Sequence, residues 1–499
     1  MIGSLSPARR TRDLAAVAGG AVDVVVVGGG VTGAGVALDA ASRGLSVLLC
    51  ERTDLAAGTS RWSSKLVHGG LRYLAHGELG LARESARERA VLMGATAPHL
   101  VRPLPFLVPD AVGRDVTALA GLGGRLGDAV RFSVPGGRRS LPPTRRVGAA
   151  DVGRLVAGVR PGGGGVVFWD GQLVDDARLV VALVRTAAAH GARVLTGATV
   201  TAVDGADVHV TTDDGPPFTV RAGAVVNAAG VWAQRLAPGI RLVPSRGSHV
   251  VVPGVRLGSP SAALTVPLPG SRSRYVFALP QPDGLVYLGL TDEPVEGPVP
   301  DDDPTPSDTE VRQLLDTVNP VLAEPLTRAD LVGAYAGYRP LVLPGAAAPG
   351  SATADLSRRH LLAWDGPVLS VVGGKLTTYR AMAEEAVDAV VARLGRGAAR
   401  SLSARLALVG AAPRVALDRL GAPPRLVARY GTEAPAVEAL GPALVVAGRP
   451  ETVGELRFAV RHEGARTVAD LLDRRTRIGL VPADRERAVP VAEQVLAEG

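Results

Sequence analysis

An α/β fold class is what this 499-residue chain predicts, and three observations carry it. A β-branched run ending in glycines, Asp23 to Gly28, leads through a small-residue helical stretch (Val31 to Arg43) into a second apolar run, Leu45 to Cys50. Segments 246–253, 274–280 and 285–291 read as strands of an antiparallel sheet. Beyond about residue 400 the pattern turns helical, with Leu456, Val460, Val468, Leu471 and Leu472 recurring between charges in the stretch Leu456 to Arg477.

The first stretch is one βαβ unit. Positions 100 to 165, rich in Pro, Gly and Arg, read as long loops over a scaffold. Asp176 to His190 fits a helix with an aspartate near its start and Gly191 at its end, followed by a strand at 193–200 and another, Ala224 to Asn227. Asp301 to Pro306 reads as a solvated acidic loop. The organisation expected from the pattern is an α/β region joined near 396–403 to a C-terminal helical domain. No repeat of solenoid period is present.

Composition narrows the classes. Hydrophobic residues make up 46% and charged residues 21%, the balance of an ordered globular chain too long for a single core. No apolar run reaches the ~18 residues of a membrane span, and the first 23 residues lack the apolar core of an export signal, so a cytoplasmic protein is expected. The single cysteine, Cys50, forms neither an intrachain disulfide nor a multi-cysteine metal site, and no metal is expected. The net charge of +7 suits nucleic acid, an anionic surface or a phosphorylated substrate, but with aromatics at 3% and no dense Lys/Arg run a nucleic-acid platform is not expected. Of 55 Lys plus Arg only Lys65 and Lys375 are lysine, so each answers a need that a guanidinium does not meet.

Two motifs carry chemistry. Gly28-Gly29-Gly30-Val31-Thr32-Gly33 lies between strand and helix, and Glu51 ends the next strand about 20 residues on. That arrangement defines a Rossmann-like dinucleotide site: the glycines bring backbone N–H groups to a pyrophosphate at a helix N-terminus, and the acid accepts from a ribose hydroxyl. The spacing does not separate FAD from NAD. The run from Gly58 to Leu74 then packs hydroxyls, Lys65, His68, Arg72 and Tyr73 between small residues, as suits a backbone pressed against a ligand.

Within that run, SSKLVHGGLRYL resembles the signature of the FAD-dependent glycerol-3-phosphate dehydrogenases and the related glycerophosphate oxidases. VDDARLV (174–180), GSHVVVP (247–253), GYRPL (337–341), GGKLTTYR (373–380) and the tail AVRHEGARTVADLLDRRTR (459–477) resemble the same family, in the family's order. The resemblance implies FAD as cofactor and, over 21–398, a discontinuous FAD-binding domain with an inserted substrate-binding sheet, followed by a C-terminal helical domain over 399–499. Gly28, Gly29, Gly30, Gly33 and Glu51 would hold its ADP half; Thr59, Ser60, Ser64, Lys65 and Leu66 would line the flavin side. Val200, Ala229 and Gly230 would pass close to adenine and pyrophosphate. Gly374, Lys375, Leu376 and Thr377 would bring a helix start to the flavin pyrimidine, stabilising its reduced anion.

The substrate it implies is glycerol 3-phosphate, oxidised at C2 to dihydroxyacetone phosphate. His249 and His68 are the candidate bases, His249 favoured and the roles exchangeable, with Arg339 and Lys375 completing the catalytic set. Arg72, Tyr73, Arg274, Arg339 and Arg358 would receive the phosphate, because a dianion needs several cationic donors. The alternative is an oxidase of the same fold acting on an amino acid or 2-hydroxy acid, with Arg339 on a carboxylate. Trp62 and Leu290 stand where the family has a small residue and a threonine, which puts the exact substrate in doubt more than the cofactor. The family further implies a membrane quinone or oxygen as electron acceptor, peripheral attachment to the cytoplasmic face of the membrane, and a homodimer as the default assembly.

Overall fold

The structure, a computed structural model, describes residues 1–70, 77–271, 274–342, 360–395 and 397–498, leaving the side chain of residue 139 aside. Its first sheet runs in the spatial order His360–Asp365, Val368–Gly373, Gly215–Asn227, Ala21–Val27, Val47–Glu51, Arg193–Thr196. All its pairings from Val368–Gly373 to Arg193–Thr196 are parallel. Parallel strands must be covered on both faces. On one face the helices Val31–Ser42, Asp176–Ala189 and Tyr379–Leu394 pack together, and Val24, Val26, Leu49, Ala34, Leu179 and Val387 share one core with them. The helix Asp176–Ala189 starts where Asp175 accepts from the N–H groups of Ala177 and Arg178.

The second sheet holds the expected antiparallel strands Leu242–Pro253, Tyr275–Pro280 and Leu285–Gly289, joined by Gly333–Val342, which pairs with the first of them from Leu242 to Val251. It also takes in a region expected to be loop. Val101–Pro109 is a nine-residue strand, Arg114–Phe132 a 19-residue helix, and Gly165–Leu173 another strand. The prolines misdirect the reading: Pro103 and Pro105 pair with Gly171 and Trp169 on one side, while the parallel neighbour on the other side pairs only with Phe106 and Leu107, so no ladder bond asks for their missing N–H groups.

The expected helical run Leu456 to Arg477 is broken. Val453–His462 is a helix, Gly464 turns left-handed (φ +72°), and Asp470–Arg475 resumes as a π-helical turn. Helices Pro424–Tyr430, Ala434–Ala439, Val453–His462 and Pro482–Ala497 make up the rest of this part. Buried ion pairs fasten it to the first sheet's side: Arg178 to Glu463 (2.6 Å), Arg185 to Glu433 (2.6 Å), Arg475 to Asp54 (2.7 Å) and Arg429 to Asp175 (3.2 Å).

Candidate active site

The glycine motif sits between the strand Ala21–Val27 and the helix Val31–Ser42, at the carboxyl ends of the parallel strands where open α/β sheets bind ligands. Gly28 is left-handed (φ +110°), and a Cβ there would stand 2.6 Å from the Ala228 carbonyl oxygen; one on Gly33 would stand 1.9 Å from the carbonyl of Gly28. Side chains are therefore excluded from a turn pressed between two backbones. Gly30 provides no side chain to cap the helix; instead Ser60 Oγ accepts from Val31 N–H at 2.8 Å. Glu51 accepts from the N–H groups of Gly29 (2.6 Å) and Thr53 (2.8 Å), which holds its carboxylate beside the glycine turn. Ala229 and Gly230 follow Asn227 out of the adjacent strand, and Val200 lies buried in the neighbouring meander. A carboxylate at the second strand end, a glycine-capped helix start and a turn that admits no Cβ fit the ADP half of a dinucleotide.

A second group of residues gathers on one face of the other sheet. His249 pairs across strands with Tyr335 on one side and Gly289 on the other, and Arg339 pairs with Ser245. Period-two alternation puts Ser245, Gly247 and His249 on one face together with Tyr335, Gly337 and Arg339. The His249 ring is fully buried, stacks on Tyr335 at 4.6 Å and lies over Gly289, where a Cβ would meet it at 2.2 Å. Its Nε2 is 2.9 Å from Ser64 Oγ, and its buried Nδ1 has no hydrogen-bond partner among the described residues. Burial, and after it the charges of Lys65 and Arg339, hold its pKa well below the ordinary imidazole value, so the ring is neutral at physiological pH.

Arg339 lies over Gly247 and donates to Ser245 Oγ (2.9 Å), Asp292 (2.8 Å) and the Thr291 carbonyl (2.9 Å). Its charge is thus balanced by a neighbouring carboxylate, a contact the reading of GYRPL did not anticipate. Thr59 Oγ1 donates to the Tyr338 carbonyl at 2.7 Å, tying the segment after the glycine turn to the same strand. Trp62 fills the space above Gly337 and stacks on Tyr335 at 5.5 Å. Its indole N–H reaches Asp303, which also pairs with Arg61. The acidic loop at 301–306 therefore clamps the segment 59–62, where it was expected to be solvated without further role.

Lys65 is the more deeply buried of the two lysines. Its backbone is left-handed (φ +58°) and its side chain is only 1% exposed, running inward to Asp176 (2.9 Å) and to the carbonyl of Arg61. Burial lowers its pKa, and the Asp176 charge opposes that shift. Asp176 also accepts from Ser63 N–H (3.0 Å) and Ser63 Oγ (2.7 Å), while Tyr335 donates to the Ser63 carbonyl (3.2 Å). Lys65 thus sets the turn that delivers Ser64 to His249. The pairing was within reach of the sequence, since a lone buried lysine requires a carboxylate and VDDARLV supplies two.

Leu66–Val67 contacts the turn Leu376–Thr378, so the glycine pair Gly373-Gly374, both left-handed, brings this turn beside that strand. Lys375 Nζ donates to Ser85 Oγ at 3.0 Å. His68 is half-buried just beyond that strand, and Arg274 is exposed immediately before Tyr275–Pro280. Arg72, Tyr73 and Arg358 lie outside the described residues. Ser245, Asp292, Tyr335 and Asp176 are site neighbours that sequence reasoning missed.

Comparison with known proteins accords with this geometry. The family model described as FAD dependent oxidoreductase matches residues 23–380, and the C-terminal domain of alpha-glycerophosphate oxidase matches residues 423–498. The chain is 50% identical to glycerol-3-phosphate dehydrogenase 1 of Mycobacterium tuberculosis, over 99% of this chain and 98% of that one. It is 37% identical to a glycerol-3-phosphate dehydrogenase of Pseudomonas aeruginosa, over 92% of each. Among solved structures it resembles the glycerol-3-phosphate dehydrogenase from Bacillus halodurans complexed with FAD, with a TM-score of 0.73 and 26% identity over 100% of this chain and 95% of that one.

Proposed function

From the premise that this chain belongs to the family of FAD-dependent oxidoreductases and carries the C-terminal domain of the glycerophosphate oxidases, we propose that it oxidises sn-glycerol 3-phosphate to dihydroxyacetone phosphate. One observation carries the reading: a neutral, buried His249 and the guanidinium of Arg339 share a sheet face, linked by Ser64 and Thr59 to the segment that follows the dinucleotide turn. FAD, when bound, supplies the hydride acceptor. Gly28, Gly30, Gly33 and Glu51 would hold its ADP half, and Ser60, Ser64 and the Gly374 to Thr377 turn its flavin half.

The residues divide the remaining work. Alcohol oxidation requires a base for the C2 hydroxyl proton, and only a neutral imidazole accepts one. His249 is enclosed, whereas Ser64 is partly exposed at 2.9 Å from Nε2, so the proton reaches His249 by way of the Ser64 hydroxyl. Arg339 supplies the guanidinium that the phosphate requires, and Asp292, at 2.8 Å, holds its fork in place. A membrane-dissolved quinone is the electron acceptor that completes the cycle.

The decisive experiment is anaerobic bleaching of the protein's flavin absorbance by glycerol 3-phosphate, with glycerol, D-alanine and 2-hydroxyglutarate as controls. Bleaching by glycerol 3-phosphate alone is expected. Bleaching by a carboxylate substrate instead would overturn the reading in favour of an amino-acid or hydroxy-acid oxidase.

A further inference from the structure

The hydroxyl of Tyr335 is hard to explain by stability alone. The residue is 2% exposed, and its ring is wedged T-shaped against Tyr287 at 5.4 Å and stacked on Trp62 at 5.5 Å. The Lys65 ammonium lies 5.2 Å from the ring centre. Phenylalanine would fill the same space. The hydroxyl has to leave water, and it gains one long hydrogen bond, 3.2 Å to the Ser63 carbonyl. Such an exchange adds little to folding. What distinguishes the bond is where it falls.

Ser63 precedes Ser64, whose Oγ is 2.9 Å from His249 Nε2. Each polar group of Ser63 is engaged. Its N–H and Oγ donate to Asp176 (3.0 and 2.7 Å), its Oγ accepts from Lys65 N–H (3.0 Å), and its carbonyl accepts from Tyr335. That carbonyl belongs to the peptide unit joining Ser63 to Ser64. The unit is planar, so fixing its oxygen fixes the direction in which Ser64 leaves the chain. Released, the unit swings about its flanking single bonds and carries Ser64 Oγ off the imidazole. The Tyr335 ring meanwhile stacks on His249 at 4.6 Å with the planes 11° apart, opposite it in strand register. One side chain thus holds both members of the pair, the imidazole by its face and the serine through the carbonyl before it.

We propose that Tyr335 is a positioning residue for proton removal, acting through the Ser63 carbonyl to keep Ser64 Oγ against His249. This role rests on the assignment of Ser64 and His249 as the proton path. It holds for any substrate that gives up a proton there, whether or not that substrate carries a phosphate.

The test is a double-mutant cycle of Y335F with S64A, read as anaerobic stopped-flow reduction of the flavin in FAD-loaded protein by the substrate that bleaches the parent. Y335F keeps the ring and loses only the bond to Ser63, so it folds. It should lower the limiting reduction rate on the order of ten-fold, with the half-saturating substrate concentration within about twofold of the parent's. Added to S64A, which is already slow, Y335F should change the rate by less than about twofold, because the group it positions is gone. Y335L also removes the stack on the imidazole and should be slower than Y335F in both backgrounds. Y335F at the parent rate while S64A is slow overturns the role of Tyr335 and leaves Ser64 and His249 in place. Equal slowing of parent and S64A by Y335F overturns it too, since a tyrosine that only supports the fold acts alike in both. S64A at the parent rate removes the proton path, and this role with it. A carboxylate as the bleaching substrate revises the substrate alone, and the same cycle, run with it, still decides for or against Tyr335.

Discussion

Replacing Gly289 by alanine tests the site at its tightest point. The added Cβ would lie 2.2 Å from His249 Cδ2 and 2.7 Å from both Cγ and Nε2, where ordinary contact begins at 3.4 Å. The ring must therefore move by about 1 Å. Tyr335 is stacked on it at 4.6 Å, so it escapes only by sliding in its plane, which breaks the 2.9 Å bond to Ser64. A misplacement of about 1 Å in a reacting group costs on the order of a hundred-fold in rate. The glycine turn that would hold the ADP half of FAD belongs to the other sheet, so the cofactor stays bound. The expected variant is yellow, folded, and slower by about a hundred-fold in anaerobic stopped-flow reduction of its flavin by glycerol 3-phosphate. Reduction within about threefold of the parent rate, at equal flavin content, would refute the assignment of His249 as the proton acceptor.

Five further outcomes follow from the same geometry. Ser64→Ala should retain flavin and lower kcat by about ten- to a hundred-fold with little change in KM, whereas Ser64→Thr should recover most of the loss; equal rates in both variants and parent would remove the hydroxyl from the proton path. Because His249 titrates well below the ordinary imidazole value, kcat at saturating substrate should stay level down to about pH 6.5 and fall only below it; an acid limb centred near neutrality contradicts that environment. The same depressed pKa means the unfolded chain takes up a proton first, so stability should decline as pH drops below about 6.5, as urea melts at pH 7.5 and 5.5 would register. Lys65→Met leaves Asp176 charged and buried, and should cost about 3–5 kcal/mol in urea unfolding, with Lys65→Met/Asp176→Asn recovering part of it; a loss below about 1 kcal/mol would show the pair to be dispensable. Gly33→Ala, whose Cβ would sit 1.9 Å from the Gly28 carbonyl oxygen, should emerge colourless, and full flavin occupancy would contradict the pyrophosphate assignment.

What the sequence disclosed divides along physical lines. The dinucleotide unit was legible because its constraints are local: Gly28, Gly33 and Glu51 act within one strand, turn and helix. His249 was legible as a candidate but its environment was not, because Tyr335 and Gly289 reach it through strand register, and register is invisible to local pattern. Proline and glycine density hid the strand Val101–Pro109 and the helix Arg114–Phe132, since both residue types mark loops when their partners are unknown. The two lysines were singled out correctly as unusual, but rarity announced a special environment without saying that Lys65 faces inward, to Asp176. Asp303 shows the complementary failure: an acidic loop reads as solvent-facing until Arg61 and Trp62 are seen to hold it.

The buried pairs that fasten the C-terminal helices have an evolutionary corollary. Asp54, Asp175, Arg178 and Arg185 belong to the nucleotide-binding half of the chain, yet each is neutralised by a residue beyond position 428. A bare charge in such a place is costly, so neither half can be inherited, exchanged or lost without leaving the other with ions it cannot solvate. The arginine-rich seam therefore acts as a lock against recombination: a chimaera joining this N-terminal part to a foreign C-terminal domain would have to carry the matching charges across with it.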